Sequence, residues 1–225
     1  MVTGIWAALP IISEYFPCDE FREYVSYHFD TDKNGSLSRE EIASVTEIRY
    51  YGYSGLDSVT SLKGIEFFTS LERLTLDDFS LLTSLDLSKN QALTSLSISD
   101  TALKSLILGN NPKLTYINCS RNQLTTLDVS GLANLKTIYC SNNSLTKLNV
   151  SKNKELENLF CSGNSLSTLD VSNNTKLRWL DVSGNTLTKI DVTKCTSLYA
   201  LFCDKDVSII GAGSEVKIND YSLYV

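Results

Sequence analysis

One histidine, His28, occurs in 225 residues, which nearly excludes catalysis by histidine chemistry. Three prolines and eleven glycines are too few for a collagen-like or linker-like chain. No run of lysine and arginine is present, and 26 acidic against 20 basic residues give a net charge of −6. Nucleic acid and anionic membrane surfaces are therefore poor partners. No segment comes near the roughly 18 uninterrupted apolar residues of a membrane-spanning helix. Residues 1–10 have an apolar patch but no basic start and no small-residue cleavage pattern, so a mature or trimmed terminus is expected rather than a signal peptide. What is left is an ordinary globular composition, 42% apolar and 20% charged.

What the chain does have is a repeat. Leucines recur at Leu93, Leu114, Leu135, Leu156, Leu177 and Leu198, each 21 residues after the last. A second series, Leu82, Leu103, Leu124, Leu145, Leu166 and Leu187, falls about half a period away. The unit reads LxxLx(C/V/I)SxNxLxxLDVSxNxx, and six in-phase copies do not arise by chance. Within it Leu114, Ile117 and Cys119 alternate with Tyr116 and Asn118, the period of a short strand with one buried face. One such strand cannot bury that face alone, so successive copies are expected to stack as a parallel sheet about 4.8 Å apart. Asn122, Asn143, Asn164 and Asn185 follow the strands, where amides can satisfy loop backbone groups of their own coil and its neighbour. The half-unit Leu-Asp-Val-Ser has asparagines of its own, Asn90, Asn111, Asn153 and Asn174. Twenty-one residues leave no room for a full helix on the convex side, so extended or short 3₁₀ segments are expected there.

These units resemble bacterial leucine-rich repeats of the short type. The fold expected is an α/β leucine-rich-repeat solenoid with a parallel concave β-sheet, a helical N-terminal cap and a β C-terminal cap. Its parts would be a cap over 1–44, the solenoid over 45–207 and a closing segment over 208–225. Leu132 and Cys195 depart from the second asparagine file and Thr101 from the first. The unit from Leu71 has Phe79 in the asparagine position and one extra residue, so irregularity is expected there.

The cap carries its own motif. Phe21, Val25 and Phe29 share one helical face, and the loop DTDKNGSLSREE follows. Oxygen side chains fall at its positions 1, 3, 5 and 9, Gly35 at 6, Leu37 at 8 and Glu41 at 12, resembling an EF-hand calcium loop. Ca²⁺ wants six to eight oxygens, and a loop turning at glycine can converge them. The whole segment also resembles the helical cap of internalin-type repeat proteins. The ligands this implies are Asp30, Asp32, Asn34, Ser36 through its carbonyl, Ser38 through water, and Glu41. No second loop is available to pair the central strand, so the ion is expected to stiffen the cap rather than to open a groove.

Six cysteines invite a metal or disulfide reading. Cys119, Cys140 and Cys161 keep the repeat period where other coils have valine or isoleucine, so free core thiols are expected. The recurring Asp86, Asp128, Asp170 and Asp191 are expected to cap turns on a solvated face. The variable strand positions carry the functional signal. Tyr116 with Asn118, Tyr139, Asn158 with Phe160, Trp179 with Asp181, and Phe202 lie on the concave side of five successive coils. A run of aromatics there marks a binding surface, unless the rings simply pack on one another.

No nucleophile elbow, metal-ligand cluster of catalytic type or Gly-rich phosphate loop is present, and an enzyme is not expected. The reading is a non-catalytic recognition module binding a protein through the concave face, with structural Ca²⁺ in the cap. A glycan ligand on the same aromatics is the alternative. Resemblance to the internalin-type family implies a secreted or cell-surface location; a monomer is expected.

Overall fold

In a computed structural model, residues 8–51 and 58–219 can be described, and they follow the repeat closely. The helix Asp19–Phe29 buries Phe21 and Val25, with acidic Asp19 and Glu20 in its first turn, where they complement the helix dipole. The helix Arg39–Ser44 starts at a capping box, Ser38 and Glu41 each bonding the other's backbone N–H. From Glu47–Tyr51 onward the chain builds a nine-stranded sheet, every neighbouring pair parallel, ending at Lys217–Ile218. Register equals the repeat: Ile117, Ile138, Leu159, Leu180 and Leu201 stand side by side, all buried. The two leucine series line the interior between this sheet and the opposite wall.

That opposite wall holds no α-helix among the described residues. It has one 3₁₀ turn, Ile65–Phe67, and two short parallel pairs, Ser84–Asp86 with Ser105–Ile107 and Lys189–Asp191 with Ser208–Ile210. The irregular unit has a five-residue strand, Arg73–Asp77, as does the coil after it, Ser95–Ser99, where later coils have three. Phe79 fills its asparagine position and packs its ring 5.0 Å from that of Tyr50. The closing segment supplies a strand to each wall; Asp220 and the residues after it lie outside those described.

Asparagines join the coils. Asn164 Nδ2 donates to the carbonyls of Cys140 and Cys161, both at 3.0 Å, and its Oδ1 accepts the Leu145 N–H at 2.9 Å. Asn122, Asn143 and Asn185 repeat this pattern. Thr101, the departure from this file, donates its hydroxyl to Asn122 Oδ1. In the second file Asn90, Asn111, Asn153 and Asn174 donate to two carbonyls each, while their Oδ1 atoms accept nothing. Cys195 mimics that file, its thiol donating to the Val171 carbonyl at 3.6 Å, and Leu132 fills its place as a buried side chain. The aspartates cap turns: Asp86, Asp128, Asp170 and Asp191 accept the N–H two residues on. Bonds from Ser130, Ser172 and Thr193 hold Asp128, Asp170 and Asp191 below the usual carboxylate range.

All six cysteines are buried and unbridged. Burial pushes the Cys119 thiol up to about 12 and the Cys140 and Cys161 thiols upward as well, so none is a thiolate at neutral pH. Cys140→Val is expected to cost about 1.5 kcal/mol or less, as a volume-conserving exchange. A thiol reagent applied to native protein should leave Cys119, Cys140 and Cys161 unmodified. Rapid labelling of all three would contradict their place in the interior.

Candidate functional site

Strand alternation sends the residues flanking each buried leucine or isoleucine to the concave side, and parallel register arranges them in two files. One runs Tyr116, Thr137, Asn158, Trp179, Ala200; the other runs Asn118, Tyr139, Phe160, Asp181, Phe202. Tyr116, Tyr139, Phe160 and Trp179 are half-buried, so each presents part of its ring. Tyr139 and Phe160 stack with centroids 4.6 Å apart and planes within 6°, and Tyr116 lies 5.9 Å from Tyr139. The rings thus form a surface and pack on one another at once. Asn158 Nδ2 donates to the Thr137 hydroxyl at 3.0 Å, while Asp181 Oδ1 accepts the Ser183 hydroxyl at 2.7 Å. Asn118 Oδ1 accepts the Ser120 N–H at 3.1 Å, fixing that amide toward its own turn.

Phe202 corrects the expectation of an open fifth aromatic. It is 1% exposed, and Ala200 beside it is fully buried. The C-terminal segment is the reason: it returns to lay Lys217–Ile218 along Ala200–Phe202, and Asn219 Oδ1 accepts the Cys203 N–H at 2.9 Å. A strand inside a closed end presents less than one at the middle of the sheet.

Two groups of residues escaped the sequence reading. Tyr199, 42% exposed, lies one residue before its strand, and its ring approaches Trp179 to 5.5 Å. Lys136, Glu157 and Arg178 hold the same position in earlier coils, with Lys136 3.8 Å from Glu157. These residues edge the aromatic column, and the signal for them was their shared place in the 21-residue unit. At the N-terminal end of the sheet Glu47 Oε1 accepts from Arg49 and Arg73, both at 2.9 Å. That end is an ion-pair cluster rather than an aromatic one.

In the cap loop Asp30, Asp32 and Glu41 each place a carboxylate oxygen within 4.8 Å of the others. Oxygens 2.3–2.6 Å from a shared Ca²⁺ are at most about 5 Å apart, so the donor set fits a hard cation. Gly35 turns the loop at φ +81°, a conformation a side chain would strain. Asp30 accepts the N–H groups of Asn34 and Gly35, and Asn34 Oδ1 accepts that of Ser36. Glu41 accepts from the N–H and hydroxyl of both Thr31 and Ser38, between 2.6 and 2.9 Å. The Thr31 hydroxyl above all, and the Ser38 N–H after it, hold its carboxyl down from 4.5 to about 2. The loop's central strand, which has no second loop to pair with, finds another partner: Ser36–Ser38 pairs antiparallel with Ala8–Pro10. The partner is the N-terminal segment, which no loop motif announces.

No helix among the described residues is long and apolar enough to cross a membrane. The profile of the Leucine Rich Repeat family matches residues 113–135. No curated protein sequence matches the chain. Among solved structures, internalin C2 from Listeria monocytogenes is similar with a TM-score of 0.57 at 17% identity, over 97% of this chain and 100% of that one. The functional domain of InlJ from Listeria monocytogenes, described as including a cysteine ladder, is similar with a TM-score of 0.47 at 26% identity. That match takes in 93% of this chain, which spans 63% of the InlJ domain. A chain that adds one parallel strand every 21 residues, carries the repeat profile over residues 113–135 and is similar in structure to internalin C2 has the leucine-rich-repeat solenoid fold that internalin C2 also has.

Proposed function

We propose that this protein is a secreted or cell-surface recognition module, without catalytic activity, that binds a protein partner through its concave face. The observation that carries this is the column of Tyr116, Tyr139, Phe160 and Trp179, four half-exposed aromatics on successive coils of one sheet. Partly exposed rings gathered in one patch favour a contact that removes them from water, and interface energy concentrates in such anchors. A sugar platform needs an open ring face, and the mutual stacking of Tyr139 and Phe160 supports the protein reading over the glycan one. In the cap, Asp30, Asp32, Asn34, Ser36, Ser38 and Glu41 would hold a structural Ca²⁺, whose charge would offset the gathered carboxylates.

Screening the protein against protein and glycan arrays would supply the partner. Phe160→Ala and Trp179→Ala are each expected to weaken its binding by roughly 2 kcal/mol or more, the scale of an interface hot spot. Asp170→Ala, at a turn on the convex side, should leave affinity unchanged. Binding that ignores both aromatic changes yet is lost on convex-face changes would move the site to the other surface.

A further inference from the structure

The electrostatic sign of the aromatic column follows from how its rings lie. Tyr139 and Phe160 are parallel within 6° at 4.6 Å, close to the spacing between strands. Planes stacked at that separation stand across the solenoid axis, with faces turned to each other and edges to solvent. Aromatic faces carry negative charge and edges positive, so this central pair offers its positive edges. Ligands that bind ring faces, such as ammonium groups and sugars, find one face of Tyr139 and one of Phe160 covered.

The edge of the sheet that precedes the strands has the same sign. Lys136 and Arg178 share the position of Tyr199, which borders the column beside Trp179. With Lys113 and Lys176 they make four bases against two acids, Glu155 and Glu157, on a chain of net charge −6. Glu155 is held by Lys176 at 2.5 Å, and Glu157 lies 3.8 Å from Lys136. Lys136 remains 55% exposed and Arg178 is exposed too. Asp181, at the far end of the column, is turned to Ser183, whose N–H and hydroxyl it accepts.

We propose that the segment bound here is an acidic stretch of polypeptide that also carries an aromatic or aliphatic side chain. Its carboxylates lie between the ring edges and the rim of Lys136 and Arg178, while its apolar side chain covers Phe160 and Trp179. This rests on the concave-face reading and adds the partner's chemistry. Three strand steps separate Tyr116 from Trp179, roughly 14 Å, which about four extended residues span.

Selecting a random peptide library on the whole protein tests it. Enriched peptides are expected to carry Asp or Glu within about four residues of an aromatic or aliphatic side chain. Lys136→Glu combined with Arg178→Glu is expected to weaken a selected peptide about tenfold, and added salt should weaken the wild-type complex. Both positions are exposed and the Lys136–Glu157 pair is a surface one, so the double variant should still fold, melting within a few degrees of the wild type. If Phe160→Ala removes binding but the charge reversals do not, the concave site stands and the acidic segment is overturned. If binding survives Phe160→Ala and Tyr139→Ala, both readings fall. Enrichment of neutral or basic peptides, or of none, overturns the acidic segment, as do glycan-array hits without a peptide binder.

Discussion

Asn164→Ala is expected to cost the fold roughly 3 kcal/mol, whereas Asn153→Ala, equally an interior asparagine, should cost roughly 1 kcal/mol. Each amide donates twice, Asn164 to Cys140 of the preceding coil and Cys161 of its own, Asn153 to Val129 and Leu132 of the preceding coil. Their carbonyl partners keep a second donor when either is removed: Asn143 and Asn185 serve those of Asn164, and the Leu132 and Leu135 N–H groups serve those of Asn153. The difference lies in Oδ1. That of Asn164 accepts the N–H of fully buried Leu145, which alanine would strand, and an unsatisfied buried donor costs about 1–3 kcal/mol. That of Asn153 accepts nothing, so its loss strands no donor. Urea unfolding measures both values, and hydrogen exchange at the Leu145 amide should accelerate in Asn164→Ala alone. Equal losses in the two variants would show that the Leu145 bond is not what separates the files. The chain already performs part of this experiment, since Leu132 interrupts the second file while remaining buried in the interior.

Chelator-treated protein given about 10 mM Ca²⁺ should gain about 2.7 kcal/mol if the dissociation constant is near 10⁻⁴ M, within the range of extracellular calcium modules. For a chain of this size that is a rise of roughly 5–10 °C in melting temperature. Glu41→Ala should abolish the rise and also lower the chelated protein's stability, because Glu41 accepts four hydrogen bonds and closes the capping box. Loss of such a cap costs about 0.5–2 kcal/mol. Asp32→Asn separates the two roles: the exposed Asp32 takes no part in the box, so only the calcium response should fall. A wild-type melting curve indifferent to Ca²⁺ would leave the loop a carboxylate-capped turn.

Different parts of the molecule were legible in the sequence to different degrees. The concave positions of Tyr116, Tyr139, Phe160 and Trp179 follow from alternation about Ile117, Ile138, Leu159 and Leu180, because a strand's side chains must alternate. The same alternation at the same period predicts buried Cys119, Cys140 and Cys161. Phe202 obeys that alternation yet is buried, because exposure at the end of a stack depends on what closes it. Tyr199 was passed over because its contact with Trp179 crosses coils.

The 21-residue spacing by itself determined the parallel sheet, its register, the two leucine walls and the asparagine files. Each is local chemistry repeated until a neighbouring copy supplies the missing partner. The loop from Asp30 to Glu41 likewise determined which oxygens gather, since its turn and its helix cap are encoded within twelve consecutive residues. Only the tertiary structure decided that Ala8–Pro10 completes the loop's strand, that the closing segment buries Phe202, and that Tyr139 and Phe160 hide their faces in each other. These contacts join a terminus to a distant loop or choose one ring orientation among several. Periodicity carries no information about either, because it fixes which way a side chain leaves the backbone and not what it meets beyond.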